Sequence, residues 1–210
     1  MFRNRSEAGR QLAYRLRKFQ GQPVVILAIP RGGVPVAYEI AKALERPLEV
    51  ALVKKLGHPL NKEYAIGAVG LHDIFLIPHE DVTESYITMQ TEKVRRRLNE
   101  MKQKFMGSRQ PEDIRDKTVI VVDDGIATGN TLLATINILK KSLPGKIIVA
   151  TPVVSRSAAQ KLETVVDEII AIMIPEVFYG VGRFYEDFTQ VTDEEVIHYL
   201  KDLNEIRKAG

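Results

Sequence analysis

"VIVVDDGIATGNT", residues 119–131, sets a short β-branched run against two adjacent carboxylates and then a loop of glycines and hydroxyls. Apolar residues with no polar alternation predict a strand covered on both faces. A helical pattern over 129–142 follows directly. The same order recurs upstream, where "VVILAI" (24–29) meets "PRGG" (30–33) and then "VPVAYEIAKAL". Pro35 suits a first helical turn, and Val36, Ile40 and Leu44 form the stripe to be buried. Short apolar strands alternating with helices predict βαβ units and a parallel, doubly wound sheet. In such sheets ligands sit beyond the carboxyl ends of the strands, where strand order reverses. Both glycine-containing loops fall at that kind of position.

Outward from these two units, residues 6–20 read as an amphipathic helix with Ala8, Leu12, Leu16 and Phe19 on one side. "PLEVALV" (47–53) reads as a strand, and 54–65 as a mobile loop leading into a short strand, Ala65–Val69. Residues 84–106 predict a long helix with Val94, Leu98, Met101 and Phe105 inward. Strands at 118–122, 146–153 and 168–174 alternate with helices at 129–142 and 155–166. "TDEE" (192–195) is a capping box that opens a last helix with Val196, Leu200 and Leu203 buried.

The 210 residues are 45% hydrophobic and 27% charged, the balance of a single globular domain with a real core. No apolar run is long enough to span a bilayer, and the basic N-terminus lacks the apolar segment of a secretory signal. A cytoplasmic location with no membrane partner is therefore the expectation. Cysteine is absent, which removes disulfides, thiol nucleophiles and thiolate metal sites. His58, His72, His79 and His198 have no zinc-site spacing and read as surface or loop residues. The net charge of +3 gathers at Arg3–Arg5, Arg15–Lys18 and Arg95–Arg97. Solvated helix faces or attraction of a small polyanion account for it. Nucleic acid is not an expected partner, because no recognition motif accompanies the charge.

The loop chemistry is more specific. Unsatisfied N–H groups at a helix N-terminus bind phosphate, and Gly129 lets the backbone approach it while Thr128 and Thr131 add hydroxyls. Thr131 could equally be a helix cap. Asp123 and Asp124 would repel phosphate, but carboxylates accept hydrogen bonds from vicinal hydroxyls. A diol grip beside a phosphate cradle describes a ribose 5-phosphate site; a turn alone also accounts for Asp-Gly. "PRGG" offers Arg31 and the amides of Gly32 and Gly33 as a second anion cradle, or else a tight βα turn with an exposed arginine. Nucleotide-triphosphate, dinucleotide and serine-hydrolase motifs are all missing from the sequence.

"VIVVDDGIATGNT" resembles the phosphoribosyl-pyrophosphate (PRPP) motif of type I phosphoribosyltransferases, and "AIPRGGVPVA" resembles their pyrophosphate loop. "FRNRSEAGRQLAYRL", "KKLGHPLNKEYAIGAVG" and "YGVGRFYEDFTQVTDEEV" are similar to predicted bacterial and archaeal phosphoribosyltransferases of unassigned substrate, sometimes fused to a hydrolase. The resemblance implies an α/β fold of the type I phosphoribosyltransferase kind, with flanking helices and a small C-terminal hood. Its parts would be an N-terminal helix (1–21), a core (22–175) and a hood with the last helix (176–210). It implies transfer of ribose 5-phosphate from PRPP to a nitrogen of a nucleobase or related heterocycle, releasing pyrophosphate, with Mg²⁺ as cofactor and a homodimer as the assembly. A PRPP-binding regulator without turnover is the alternative.

Position by position, the resemblance gives Asp123 and Asp124 the ribose hydroxyls, and Mg²⁺ indirectly through PRPP and water. Gly125, Ala127, Thr128, Gly129, Asn130 and Thr131 would wrap the 5-phosphate. Arg31, Gly32 and Gly33 would meet the pyrophosphate beside a peptide bond that is often cis in the family. Lys54 and Lys55 stand where the family keeps a mobile lid, and would neutralise the leaving pyrophosphate unless they merely solubilise a strand end. Ala127 replaces the aspartate of the hypoxanthine-guanine enzymes, which counts against a 6-oxopurine substrate. The hood candidate "VFYGVGRFYEDF" (177–188) holds five aromatic residues, of which Phe184 and Tyr185 are the candidates for base contact. A hydrophobic mini-core under the last helix is the other reading.

Overall fold

In the computed structural model, which describes residues 1–209 apart from Glu63 and Glu80 and gives 207–209 as backbone, the apolar runs become the middle of a five-stranded parallel sheet. Val24–Ala28 (β1) and Thr118–Val122 (β6) lie side by side in register, Ala28 opposite Val122. Leu48–Val50 (β2) flanks β1, while Lys146–Val153 (β7) and Glu168–Met173 (β8) extend the sheet beyond β6. The order β2-β1-β6-β7-β8 reverses direction between β1 and β6.

Both faces are covered, which is why these strands are continuously apolar. Ile26, Ile120 and Ile148 face the side carrying Arg5–Arg15 (α1), Gly33–Leu44 (α2), Glu84–Met106 (α3) and Asp193–Ala209 (α6). Leu27, Val121 and Val149 face Asn130–Leu139 (α4) and Arg156–Glu163 (α5). Each such side chain is fully or almost fully buried, which stabilises the chain by about 1.5–3 kcal/mol per residue. The inward stripes expected from periodicity are observed: Leu12, Leu16, Ile40, Leu44, Leu98, Leu200 and Leu203 all lie in one core.

Two stretches differ from expectation. Residues 54–57 are not loop but a strand (β3, Lys54–Gly57), paired antiparallel with Ala65–Val69 (β4). Ile74–Leu76 (β5) completes this second, three-stranded sheet, which packs on α3 and α4. The candidate lid thus shrinks to the connection after Gly57, and Glu63 within it lies outside the described residues. Among the described residues no helix is long and apolar enough to cross a membrane.

Candidate active site

The parallel pairing of β1 and β6 brings their following loops together at the strand-order reversal, so "PRGG" and "DDGIATGNT" share one edge. Their contact is close. A Cβ on Gly32 would sit 2.0 Å from Asp124 Oδ2, so only glycine lets the first loop pass this carboxylate. The Pro30–Arg31 peptide bond is cis.

Gly129 is the N-cap of α4, at φ 73° and without a side-chain cap. Thr131 is therefore not the cap; it lies inside the first turn, whose leading amides stay uncapped by any side chain. That is the condition under which a helix N-terminus takes an anion. Ala127, Thr128, Asn130 and Thr131 are exposed around it. The loop is anchored from beneath: Ser155 Oγ donates to the Ala127 carbonyl (2.5 Å), and Ile126 N donates to the Val153 carbonyl (2.9 Å).

Asp124 is buried and Asp123 half-buried. Asp123 Oδ1 accepts from Asp124 N at 2.9 Å. Burial, and then the neighbouring Asp124 charge, hold Asp123 well above the ordinary carboxylate range, while Arg5 works in the opposite direction. Arg5 Nε donates to Asp124 Oδ2 at 2.7 Å, with both side chains nearly enclosed. Its Nη1 donates to the Thr189 carbonyl (2.8 Å), and its guanidinium lies 3.9 Å from the Phe188 ring centroid. Sequence reading sees Arg5 only as part of a basic cluster; its partner stands 119 residues away and no local pattern announces it.

The hood is joined to the N-terminus. Phe2 N donates to the Phe184 carbonyl and Glu186 N to the Phe2 carbonyl, both at 2.8 Å. Tyr185 does not offer a free face to a heterocycle, contrary to expectation. It is 5% exposed, packed between Phe2 and Phe188, and its hydroxyl donates to the Asp124 carbonyl at 2.6 Å. Burial, then the Asp124 charge, push its phenol far up. The mini-core that it forms lies against α1 rather than under the last helix. Phe184 is half-buried beside Phe178, and Tyr179, 87% exposed, is the open ring of the five.

On the other side of Arg31 a cavity of about 650 Å³ is lined by Lys54 as well as Arg31. Lys55 is not among its lining residues: neighbours in a strand point to opposite faces, so the lysine pair cannot act as one. His58 is buried rather than on the surface. It takes Leu60 N on Nδ1 (3.2 Å) and meets Asp81 Oδ2 through Nε2 (3.0 Å).

The phosphoribosyl transferase domain model matches residues 3–189 of the chain. The chain belongs to the phosphoribosyltransferase family. Two relatives from Mycobacterium tuberculosis, strains CDC 1551 / Oshkosh and H37Rv, are named "Putative phosphoribosyl transferase" MT0597 and Rv0571c. Each is 35% identical over 205 residues, covering 95% of this chain and 46% of the relative. The chain thus spans about half the length of these curated relatives. The crystal structure of TT1426 from Thermus thermophilus is 36% identical and covers 97% of this chain and 99% of its own, at a TM-score of 0.89. The parallel sheet and its flanking helices are those of a type I phosphoribosyltransferase fold, as the resemblance implied, and the carboxylate pair and uncapped α4 terminus stand on the ligand-binding edge of that fold.

Proposed function

We propose that this phosphoribosyltransferase-family chain transfers ribose 5-phosphate from PRPP to a ring nitrogen of a nucleobase or related heterocycle. The observation that carries the reading is the juxtaposition, on one sheet edge, of paired carboxylates with an uncapped helix N-terminus and an arginine loop. Asp123 and Asp124 accept hydrogen bonds from the ribose hydroxyls. The α4 amides, with Thr128 and Thr131, hold the 5-phosphate. Arg31 and Lys54 meet the pyrophosphate. The C1–oxygen bond to pyrophosphate breaks as C1 gains cationic character, the acceptor nitrogen closes on C1, and its proton leaves to solvent. Positioning and stabilisation of the departing charge do most of the work.

Among the described residues no group of three or more ligating side chains could hold a metal alone. Mg²⁺ is usually held through one or two carboxylates together with substrate phosphates and water. The Asp123–Asp124 pair beside a phosphate cradle fits an ion that arrives on PRPP. Bound so, Mg²⁺ neutralises charge on the leaving pyrophosphate.

The test is pyrophosphate release from Mg²⁺-PRPP with a panel of nucleobases, Asp123→Ala serving as the blank. Release with one base, lost in the variant, supports the transferase and names its acceptor. PRPP binding without release from any base turns the reading to a PRPP-sensing regulator.

A further inference from the structure

The cavity beside Arg31 has a second wall that the loop chemistry leaves unexplained. Arg97, Glu100 and Lys104 of α3 line it opposite Arg31 and Lys54, with Asp193 of α6 between them. Positions 97, 100 and 104 share one helix face, and the two cations are about 10 Å apart along the axis. Four cations against two carboxylates leave the cavity positive.

Asp193 bridges the walls. Its Oδ1 accepts from Arg31 Nη1 at 3.4 Å and its Oδ2 from Lys104 Nζ at 2.6 Å. An oxyanion held between a guanidinium and an ammonium is the setting that a phosphate group takes. Lys54 and Arg97 line the same space, and neither is in an ion pair among the described residues.

The position of the cavity indicates which end of a ligand it would meet. It is lined by Arg31, just after β1, and by Lys54, which begins β3 shortly after β2, the neighbour of β1 on the side away from β6. The hood lies on the other side, with Val181 packed against Gly125 at the β6 end. A ribose seated at Asp123–Asp124 would direct its acceptor toward the hood and its opposite substituent toward the cavity.

We propose that Lys104 and Arg97 complete, with Arg31 and Lys54, a phosphate-chain site for the pyrophosphate end of the substrate, and that Asp193 fills this site as a built-in competitor until the ligand displaces it. The identity of the ligand rests on the transferase reading above; the anion site does not.

Titration calorimetry of the full chain with three probes separates the two. The probes are inorganic pyrophosphate, PRPP and ribose 5-phosphate. Lys104→Ala and Arg97→Ala should each weaken pyrophosphate and PRPP about tenfold, the loss of one charge-assisted hydrogen bond, and leave ribose 5-phosphate unchanged. Asp193→Asn should tighten pyrophosphate severalfold, an effect that a merely structural residue does not produce. Wild-type pyrophosphate binding that both α3 variants leave intact overturns the proposal, as does equal weakening of ribose 5-phosphate or no pyrophosphate binding at all. Pyrophosphate bound at the cavity without PRPP binding upholds the anion site while refuting the transferase reading.

Discussion

Asp124 is the residue on which the candidate site turns, because it is buried, charged and, among the described residues, ion-paired with Arg5 alone. Removing one member of such a pair leaves a desolvated charge, whereas removing both is far milder. Arg5→Gln should therefore cost about 3 kcal/mol of stability, while the Arg5→Gln/Asp124→Asn double variant recovers most of it. Urea unfolding of the four proteins in the cycle checks this; additive losses would mean that the 2.7 Å contact carries no coupling. Asp123 makes the complementary case. Its carboxyl is held above the ordinary range, so the folded chain keeps this proton to a higher pH than the unfolded chain does. Stability then falls as pH rises through the window above the ordinary value of 3.8. Asp123→Asn retains an acceptor for Asp124 N–H and abolishes that penalty. Its Tm at pH 7 should rise above that of the wild type, and the gain should shrink as pH falls toward the ordinary carboxylate range. A variant less stable than wild type at pH 7 would show that no such penalty exists. Stability gained by removing the charge would mark a residue kept for binding rather than for folding.

Among the elements, what could be read in the sequence follows physical periodicity. Helix α3 and strands β6 and β7 emerge with the expected bounds because long apolar stripes and unbroken β-branched runs leave one interpretation. The "TDEE" box is realised in both directions: Glu195 N donates to Thr192 Oγ1 at 3.1 Å, and Thr192 N donates to Glu195 Oε2 at 2.7 Å. Strands β3 and β5 were not legible. They are short, and "KKLG" carries two charges and a glycine; its strand character comes from pairing with β4 rather than from its own composition. Arg5–Asp124 and Tyr38–Asp202 were illegible for a related reason, since both join residues more than a hundred positions apart. Burial and then Asp202 push the Tyr38 phenol up to about 12, so this tie between α2 and α6 persists until strongly alkaline pH and is lost as pH rises through that value. The α6 start carries a functional prediction, because it presents Asp193 to Arg31 and Lys104. Thr192→Ala removes one half of the box and should cost about 1 kcal/mol, read as a lower urea midpoint at unchanged slope. No change in midpoint would mean that packing alone fixes where α6 begins.

Across the whole molecule, the N-terminus and the hood meet over the candidate site. Phe2 and Arg3 pair with residues 184–187, Arg5 reaches Asp124, and Tyr185 caps the Asp124 carbonyl. An N-terminal helix, a core and a hood are therefore sequence segments that converge on one carboxylate, and the hood cannot loosen without disturbing Asp124 through Arg5 and Tyr185. Phe2 is the apolar pin of this arrangement, 3% exposed and 5.3 Å from the Tyr185 ring. Phe2→Ala should cost about 3–5 kcal/mol, and the loss should be unevenly distributed. Amide exchange at Glu186 and Asp187, whose protons are held by the Phe2 and Arg3 carbonyls, should accelerate by orders of magnitude. Exchange in the middle of β6, at Ile120 and Val121, should speed up only as far as global stability falls. If all four amides accelerate together, the N-terminus and the hood are part of one cooperative core and the hood has no independent opening. If Glu186 and Asp187 alone respond, the N-terminus is a latch on the hood, and occupancy at Asp124 can be transmitted to whatever the hood encloses.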